Sequence, residues 1–360
     1  MVKPSRFVAD LDPYKITPQD VWSEAAPRDL LKLDWNESPE DFDWFQKELR
    51  RVVDDRGMLA WYPDYLALQL TDALARYLQI SGNNVLTFPG SDVGLETLCR
   101  AYLEPEDVVV ALCPTYENFF VYALQTGARL DKLVVDRPFH VDPQEVARRI
   151  RDAGPAKAVY LASPNNPCGY VVPVETISAL AAEFSSTMII VDEAYIEFAD
   201  SGSCAGLVET LPNLVVARTF SKGFGMAGLR LGYLCTSLPI INTVNKIRNG
   251  KNISMIAQRM GLHALQNIGR ISAWVEDVKR QRARLAAWFA EQGVTCYPSQ
   301  GNFLLFEVNR PNELCSKLKA EGVYVRNRHA MLPRCVRVTI GSSRHVDRLI
   351  AELEAARDFL

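Results

Sequence analysis

The central part of the chain alternates short apolar runs with longer amphipathic segments. The apolar runs cover residues 85–88, 108–112, 130–135, 158–162, 188–191, 214–217 and 231–235. Segments with helical spacing lie between them, at residues 94–102, 116–126, 143–152 and 174–184. Strands that alternate with helices predict an α/β fold with a mostly parallel sheet that is covered by helices on both faces. Such sheets bind ligands beyond the carboxyl ends of their strands, so the residues that follow each run are the first candidates for a site.

The two ends of the chain have other patterns. Residues 1–40 are polar, and their prolines argue against long helices. From residue 256 a helical stretch continues to about residue 292, and shorter strands and helices follow it. We therefore predict an N-terminal arm (residues 1–40), a large domain (residues 41–255) and a smaller α+β domain (residues 256–360).

The composition narrows the class of protein. The chain has 360 residues and a net charge of −3, which is not the charge of a protein that coats nucleic acid. No apolar run approaches the roughly 18 residues of a membrane span, and residues 1–10 carry no export signal. The eight cysteines include no C-x-x-C pair, and there are only four histidines. We therefore expect a cytoplasmic protein with reduced cysteines that binds neither nucleic acid, nor a membrane, nor a metal ion.

One lysine is distinguished by the residues around it. Lys222 follows the apolar run 214–217, with Thr219 and Ser221 just before it and Arg230 eight residues later. This arrangement suits an amine that forms an imine beside an anchored phosphate.

The same stretch also matches a dinucleotide-binding fingerprint, through Gly223, Gly225 and Gly228. That fingerprint requires an acidic residue about 20 positions later, which binds the ribose. Residues 210–275 contain no Asp or Glu, but they contain eight Lys and Arg residues. The missing acid argues against a nicotinamide site, and the local positive charge favours an anionic ligand.

Further candidates follow other apolar runs. Ser91 and Asp92 begin a predicted helix, where backbone N–H groups bind an anion or where either side chain caps the helix. Asn166 lies in a turn with two prolines and a glycine, which either aims the amide at a ligand or is a plain loop. Asp192 directly follows a buried strand, so its carboxylate requires a protonated ring nitrogen, a metal ion or a helix end as partner. Tyr195, three residues on, could direct its hydroxyl at the same ligand.

Two arginines in the C-terminal part complete the candidates. Arg326 and Arg337 lie beside or within predicted strands. Arginine is the bidentate partner of carboxylates and phosphates, so Arg337 in an alternating strand indicates a ligand, with a surface position as the alternative.

Together these motifs resemble the class I and II aminotransferases of PLP fold type I, and within them the histidinol-phosphate aminotransferase branch. The matching motifs, in order, contain Asn36-Glu37, Tyr62-Pro63-Asp64, Ser163 to Pro167, Asp192 to Tyr195, Ser221-Lys222, Gly228 to Arg230 and Arg337 to Gly341. The resemblance implies an α/β fold with a large and a smaller domain, pyridoxal 5′-phosphate (PLP) as the cofactor, and a homodimer.

The resemblance also implies a role for each candidate. Lys222 would bind PLP covalently and move the proton, while Asp192 would keep the ring nitrogen protonated. Tyr195 and Asn166 would bind the ring oxygen, and Tyr116 would stack on the ring. The groups implied for the cofactor phosphate belong to Ser91, Asp92, Thr219, Ser221 and Arg230, with Tyr62 reaching in from the neighbouring subunit. The substrate would contact Asn36, Arg326 and Arg337, with the phosphate at Arg326 and the α-carboxylate at Arg337.

The sequence departs from the family pattern on the substrate side. Lys251, in Arg248-Asn-Gly-Lys251-Asn252, stands in a segment that in this branch usually has arginine, proline, an aromatic residue and asparagine. Arg328 and His329 add basic residues after Arg326. The default prediction is amino transfer between glutamate/2-oxoglutarate and a phosphorylated or anionic amine, histidinol phosphate first. The alternatives are a PLP-dependent decarboxylase of a phosphorylated amino acid, similar to threonine-phosphate decarboxylases, or an aminotransferase for another amino acid in a specialised biosynthetic pathway.

Overall fold

Two β-sheets, one of seven strands and one of five, organise the chain. The structure is a computed structural model that describes residues 2, 4–9, 11, 20–22, 29–137, 139 and 141–360. Part of the predicted N-terminal arm, including Pro13, Pro18 and Pro27, lies outside the described residues.

The strands and α-helices of the described residues have the following bounds. The strands are β1 (Leu31–Leu33), β2 (Val85–Phe88), β3 (Val108–Cys113), β4 (Arg129–Val134), β5 (Ala158–Ala162), β6 (Met188–Asp192), β7 (Leu214–Thr219), β8 (Gly232–Thr236), β9 (Cys296–Tyr297), β10 (Phe303–Glu307), β11 (Val323–Asn327) and β12 (Cys335–Thr339). The α-helices are α1 (Asp43–Asp54), α2 (Leu68–Leu78), α3 (Gly90–Tyr102), α4 (Asn118–Leu124), α5 (Pro143–Asp152), α6 (Val174–Glu183), α7 (Leu238–Asn245), α8 (Met255–Gln266), α9 (Ile268–Glu291), α10 (Pro311–Ala320) and α11 (Ser343–Ala355).

The large sheet confirms the predicted α/β fold. Its order is β2-β8-β7-β6-β5-β3-β4; β8 is antiparallel to β2 and β7, and the other pairs are parallel. Each apolar run of the sequence forms one of these strands, with ends within two residues of the prediction. The apolar runs predicted these strands because a strand that is buried on both faces has a continuous apolar sequence.

Alternate residues of the central strands pack into separate cores on the two faces of this sheet. In β5, Val159 and Leu161 belong to one apolar cluster, and Tyr160 and Ala162 belong to the other. Both clusters contain residues from the covering helices, which is the arrangement expected for a parallel sheet. The sheet is therefore packed on both faces, and this packing fixes the residues at the carboxyl ends of its strands.

The register brings the ends of the central strands together. Asp192, the last residue of β6, lies opposite Ala162 of β5 and Ala217 of β7. Because these strands are parallel, the segments that follow them leave the sheet at the same edge. That edge is where the sequence predicted the site.

The small sheet has the order β1-β11-β12-β10-β9, with β1 parallel to β11 and the other pairs antiparallel. Residues 31–33, which we had assigned to the arm, thus form an edge strand of this sheet. Leu31 and Leu33 are buried, and Lys32 between them is half-buried. The sequence therefore has the alternation of apolar and polar residues that is typical of a strand, but over only three residues. The domain boundaries themselves remain a prediction.

The predicted helix over residues 256–292 is wrong in one respect, because two helices, α8 and α9, take its place. Asn267 separates them with non-helical backbone angles, and its amide nitrogen donates a hydrogen bond to the His263 carbonyl at 2.9 Å. Within the described residues, no helix is both long enough and apolar enough to cross a membrane.

Candidate active site

A cavity of about 480 Å³ lies where the carboxyl ends of β5, β6 and β7 face the small sheet. It brings together residues that are far apart in the sequence. The predicted site residues that line it are Ser91, Asp92, Tyr116, Asn166, Asp192, Tyr195, Thr219, Ser221, Lys222, Arg230, Arg326 and Arg337. Asn36 and Tyr62 are the predicted site residues outside this lining.

One end of the cavity is a cluster of hydrogen-bond donors at the start of α3. Gly90 has a φ of 82°, and a Cβ atom there would lie 2.6 Å from Nη2 of Arg230. Gly232 allows a similar approach, since its Cβ would lie 2.4 Å from the backbone nitrogen of Ser91. The two glycines let the Arg230 guanidinium and the helix N-terminus converge, which is a geometry that binds anions.

Two hydroxyl groups complete this cluster. The backbone N–H of Ser221 donates to Oγ1 of Thr219 at 3.1 Å, and the two hydroxyl oxygens are 2.9 Å apart. Nη1 of Arg230 donates to Oγ of Ser221 at 3.3 Å. The turn after β7 is therefore folded so that both hydroxyls and the arginine face the same point.

Asp92 connects this cluster to an aromatic ring. Its Oδ1 accepts a hydrogen bond from the Tyr116 hydroxyl at 3.0 Å, and its Oδ2 lies 3.4 Å from Nη2 of Arg230. The carboxylate thus positions the tyrosine and the arginine, and of Asp92 only the backbone N–H can serve as an anion donor.

The Lys222 side chain lines the same cavity. Its Nζ donates to the backbone carbonyl of Trp35 at 2.8 Å. Burial lowers the pKa of this lysine from its ordinary value of 10.5 to about 8. A substantial fraction of the amine is consequently neutral slightly above neutral pH, which is the form that attacks a carbonyl group.

Asp192 is buried at the floor of the cavity and has two donors. The Tyr160 hydroxyl donates to Oδ2 at 2.8 Å, and the backbone N–H of Ala194 donates to Oδ1 at 3.1 Å. Burial nevertheless raises the pKa of Asp192 from 3.8 to about 6, since the two hydrogen bonds only partly offset the desolvation. The carboxylate lacks a cationic partner among the described residues, so it is suited to a ligand that brings one.

Tyr160 was missed by the sequence prediction because it lies inside an apolar run. Its ring stacks on Phe119, with centroids 3.9 Å apart, and it is fully buried. A signal was available, since a buried tyrosine hydroxyl requires a hydrogen-bond partner. The sequence could not say which partner it has.

Tyr195 is the centre of a chain of hydrogen bonds that leads to the small sheet. Its hydroxyl accepts from Nδ2 of Asn36 at 3.1 Å and from Nδ2 of Asn166 at 3.3 Å. Oδ1 of Asn166 accepts from Nη1 of Arg337 at 2.5 Å, and Nη2 of Arg337 donates to the carbonyl of Asp34 at 2.7 Å. The phenol, the amide and the guanidinium are therefore oriented as one unit.

Asn36 lies behind Tyr195. It is fully buried, and its Oδ1 accepts from the Thr339 hydroxyl at 3.3 Å. The contact of Asn36 with the substrate stays a prediction; in the structure each end of its amide takes part in a hydrogen bond within the protein. Its short side chain and left-handed backbone, with φ of 57°, turn the chain after β1.

The small sheet and the turn after β1 form the remaining walls. The small sheet contributes Arg326 and Arg337, which are direct cross-strand neighbours, and Arg328 follows. Asp34, Trp35 and Glu37 line the cavity from the turn. Because β1 was unrecognised, we did not place these three at the site. His329 is exposed, and its Nδ1 accepts from the backbone N–H of Arg334 at 3.0 Å, so it caps a turn.

Tyr62 and Lys251 form a separate pair on the surface. Nζ of Lys251 lies 4.6 Å from the centroid of the Tyr62 ring, and Tyr62 is 81% exposed. Arg248 is buried against the Tyr65 ring, 5.5 Å from its centroid. None of these residues lines the cavity.

Comparison with known proteins agrees with this geometry. Residues 28–353 match the family "Aminotransferase class I and II". The chain is 33% identical over 355 residues to a histidinol-phosphate aminotransferase from Christiangramia forsetii, covering 97% of this chain and 95% of that one. It is 29% identical over 355 residues to the dihydroxyacetone phosphate transaminase Cj1437c from Campylobacter jejuni, covering 97% and 96%.

A solved structure is similar over almost the whole chain. The histidinol-phosphate aminotransferase from Sinorhizobium meliloti, in complex with PLP, superposes with a TM-score of 0.86 at 25% identity and covers 98% of this chain and 96% of its own. The fold, the family match and the lysine-containing cavity lead to one conclusion. The chain belongs to the class I and II aminotransferases and is a PLP-dependent enzyme.

Proposed function

We propose that this enzyme transfers an amino group between glutamate/2-oxoglutarate and a phosphorylated or similarly anionic amine, with histidinol phosphate as the first substrate to test. One observation carries the proposal: the Lys222 amine shares a single cavity with two separate groups of anion-binding side chains. Arg230 and the start of α3 form one group, and the arginines of the small sheet form the other. A cofactor phosphate occupies only one of them, so the second is available to the substrate.

The residues present fit PLP. The two glycines beside Arg230 leave a space that a Cβ atom would fill, next to free backbone N–H groups and two hydroxyls. A buried carboxylate without a cationic partner among the described residues lies at the floor, as a protonated ring nitrogen requires. The amine between them has a lowered pKa, as a lysine that forms a covalent bond with a carbonyl requires.

The phosphate of the cofactor is assigned to the donor cluster. The backbone N–H groups of Ser91 and Asp92 would hold it together with the side chains of Thr219, Ser221 and Arg230. Tyr116 would cover one ring face, because Asp92 holds its hydroxyl. Asn166 and Tyr195 would donate to the ring oxygen, and Asp192 would pair with the ring nitrogen.

Bound PLP supplies an electron sink that stabilises negative charge at the substrate carbon. The protein's part is to move and hold protons. Lys222 would take the proton from the substrate carbon and return it to the cofactor, since its amine has a pKa of about 8 and therefore exchanges protons easily. Asp192 would hold the ring proton, and Tyr160 would fix the orientation of that carboxylate.

The substrate would lie against the small sheet. Arg337 would bind the α-carboxylate of glutamate, and Arg326 would bind the phosphate of the amine. Asn36 would support Tyr195 on the substrate side of the site. The names of two relatives, histidinol-phosphate aminotransferase and dihydroxyacetone phosphate transaminase, both specify a phosphate ester, which supports a phosphate-binding role for this wall.

We further propose that the enzyme is a cytoplasmic homodimer in which Tyr62 of each subunit reaches the cofactor phosphate of the other. The segment around Tyr62 supports this, because Leu59, Trp61 and Tyr62 are 83%, 61% and 81% exposed. Large apolar side chains gathered in one patch are typical of a surface that another protein covers. The donor cluster is also open, since half of the Arg230 side chain is exposed.

The test is a set of half-reactions. The purified PLP form is mixed with histidinol phosphate, threonine phosphate or glutamate, and the form with the aminated cofactor is mixed with dihydroxyacetone phosphate. We expect loss of the lysine-bound cofactor spectrum with a phosphorylated amine and with glutamate, and stoichiometric 2-oxoglutarate from the latter. Release of carbon dioxide without a keto acid would identify a decarboxylase instead. Conversion of unphosphorylated amino acids only would refute the proposed substrate class.

A further inference from the structure

A buried cluster of charged side chains joins the segments that follow β6 and β7. Nη2 of Arg218, on β7, donates to Oε1 of Glu197 at 2.7 Å, and Nε of Arg218 lies 3.8 Å from Oε2 of Glu193. All three residues are buried. The guanidinium carbon of Arg218 also lies 5.5 Å from the ring centroid of Tyr77 and 5.9 Å from that of Tyr233. None of these five residues lines the cavity, so the cluster is separate from the site described above.

Glu193 is fixed at the end of β6, directly after Asp192. Its backbone N–H donates to the Ala217 carbonyl at 2.8 Å, which continues the pairing of β6 with β7. Its carboxylate accepts from the backbone N–H of Cys204 at 2.7 Å and from the Ser203 hydroxyl at 2.5 Å. Glu193 therefore gives the cluster a fixed point next to the Asp192 carboxylate.

Glu197 packs against the turn that carries the reacting amine. A Cβ atom at Gly223, the residue after Lys222, would lie 2.7 Å from Cβ of Glu197. Burial raises the pKa of Glu197, and the positive charge of Arg218 is the largest opposing influence, so the pairing favours the ionised carboxylate. The contact between Arg218 and Glu197 thus holds the segment after β6 against the backbone beside Lys222.

Tyr195 lies between the two glutamates in the sequence, but its contacts are in the cavity. Its hydroxyl accepts from the amides of Asn36 and Asn166, and Nζ of Lys222 lies 5.8 Å from its ring centroid. The segment that carries Tyr195 is therefore held at both ends by the cluster. A buried ion pair adds little net stability, because desolvation offsets the attraction, but its geometry fixes the segments that it joins.

We propose that Arg218 and Glu197 are positioning residues, whose pairing keeps the Tyr195 hydroxyl in place beside the cofactor that Lys222 binds. This inference rests on the proposed function, in which Tyr195 donates to the cofactor ring oxygen. A phenol that already accepts two hydrogen bonds has only its own proton for that oxygen. A displacement of the tyrosine that the cluster normally prevents weakens this one contact.

The experiment measures the pH midpoint of the visible absorption change of the purified PLP form. A hydroxyl that donates to the ring oxygen stabilises negative charge there and favours the deprotonated form of the lysine-bound cofactor. Tyr195→Phe therefore raises the midpoint by about one to two pH units, the equivalent of one hydrogen bond to a charged group. Glu197→Met removes the acceptor of Arg218 but keeps an unbranched side chain of similar length, and it raises the midpoint by at least about 0.5 pH unit.

A double variant and a conservative variant show whether the effect passes through Tyr195. In Tyr195→Phe, the added Glu197→Met causes no further shift, because the contact through which it acts is already lost. Glu197→Gln keeps an acceptor for Arg218 and recovers most of the wild-type midpoint. Glu197→Ala replaces Glu197→Met if that variant loses its circular dichroism spectrum.

Thr236→Val is the matched control. Thr236 is buried, and its hydroxyl donates to the Leu214 carbonyl at 2.7 Å, at the end of β7 that is far from Lys222. The variant loses a buried hydrogen bond of the same strand, so its Tm falls while the midpoint stays at the wild-type value.

The outcomes are separable. An unchanged midpoint in Tyr195→Phe refutes the role assigned to Tyr195, and the inference with it. A shift in Tyr195→Phe without one in Glu197→Met refutes the positioning role of the cluster and leaves the proposed function intact. The same holds if Glu197→Met shifts the midpoint equally in the Tyr195→Phe background, or if Thr236→Val shifts it as well.

Discussion

Asp192 offers a prediction in which stability and function change in opposite directions. Its pKa is about 6 in the folded protein against an ordinary value of 3.8. The unfolded chain therefore releases this proton at lower pH than the folded apoenzyme does. The group favours folding below its ordinary pKa, and that contribution is lost as the pH rises through about 6.

The magnitude follows from the difference between the two pKa values. At about 1.4 kcal/mol for each pKa unit, the total loss is about 3 kcal/mol, and roughly half of it develops between about pH 5 and about pH 7.5. The variant Asp192→Asn has no charge at this position and therefore no such loss. The new amide can still accept from Ala194 N–H and donate to the Tyr160 hydroxyl, so the two polar contacts are retained.

We therefore expect the Asp192→Asn apoenzyme to gain stability relative to wild type as the pH rises. The assay is urea unfolding of both apoenzymes at about pH 5 and about pH 7.5, and the expected change in their difference is about 1–1.5 kcal/mol. Asp54→Asn, which removes an exposed carboxylate on α1, is the control.

In the PLP form we expect the opposite result, with Asp192→Asn at a disadvantage to wild type. If Asp192 pairs with the protonated ring nitrogen, removing one member of a buried pair raises the apparent Kd for PLP at least about 100-fold. A difference between the apoenzymes that is independent of pH would refute the protonation argument. An unchanged affinity for PLP would refute the assigned partner.

Four further predictions concern other residues of the site. Lys222→Ala should abolish trapping of the cofactor by borohydride and lower turnover at least about 100-fold. In wild-type apoenzyme, covalent attachment of PLP should speed up as the pH rises through about 8 and then level off, because the neutral Lys222 amine reacts; a flat profile between about pH 7 and pH 9 would contradict the lowered pKa. Gly90→Ala should lower PLP affinity about tenfold and reduce Tm, because this position has a φ of 82° and no room for a Cβ atom beside Arg230. The control Gly206→Ala should change little, because a Cβ atom there would have no neighbour within 4 Å. Mixing inactive Lys222→Ala with Tyr62→Ala subunits should restore activity in hybrid dimers, and no recovery would place Tyr62 in its own subunit's site.

Sequence patterns predicted which residues of the large sheet meet at the cavity, for a physical reason. These residues follow apolar strands of the large sheet. The carboxyl edge of a parallel sheet brings such residues together independently of the conformation of the loops. Lys222, Asp192 and Asn166 therefore converge as their positions after β7, β6 and β5 require. The element bounds were also accurate there because the strands are buried on both faces.

The substrate end was less predictable because it depends on a pairing between distant segments. β1 has three residues, and its parallel pairing with β11 joins Leu31 to Val323. No local pattern indicates a partner that far along the chain. Asp34, Trp35 and Glu37, which line the cavity, were consequently missed.

Tyr160 was missed for a different reason, whereas Arg328 was named only as an extra basic residue on the substrate side. Each has a residue type that suggests function, but its orientation depends on register. Tyr160 lies in an apolar strand, and only the alignment of β5 with β6 places its hydroxyl on Asp192. Arg328 lies beyond the end of β11, and only the backbone hydrogen bond to Cys335 shows that it shares a face with Arg326.

The contact between Lys222 and the Trp35 carbonyl connects these two ends. The lysine belongs to the large sheet, and the carbonyl belongs to the turn that β1 holds against the small sheet. The Arg337 hydrogen bonds to Asn166 and to the Asp34 carbonyl join the same two parts. Lys222 and Arg337 are thus fixed by contacts that join the two parts, whereas Arg326 is held by the pairing of β11 with β12. If Arg326 binds the distal group of the substrate as proposed, substitutions on β11 change which distal group is accepted while the contacts of Lys222 and Asp192 are retained.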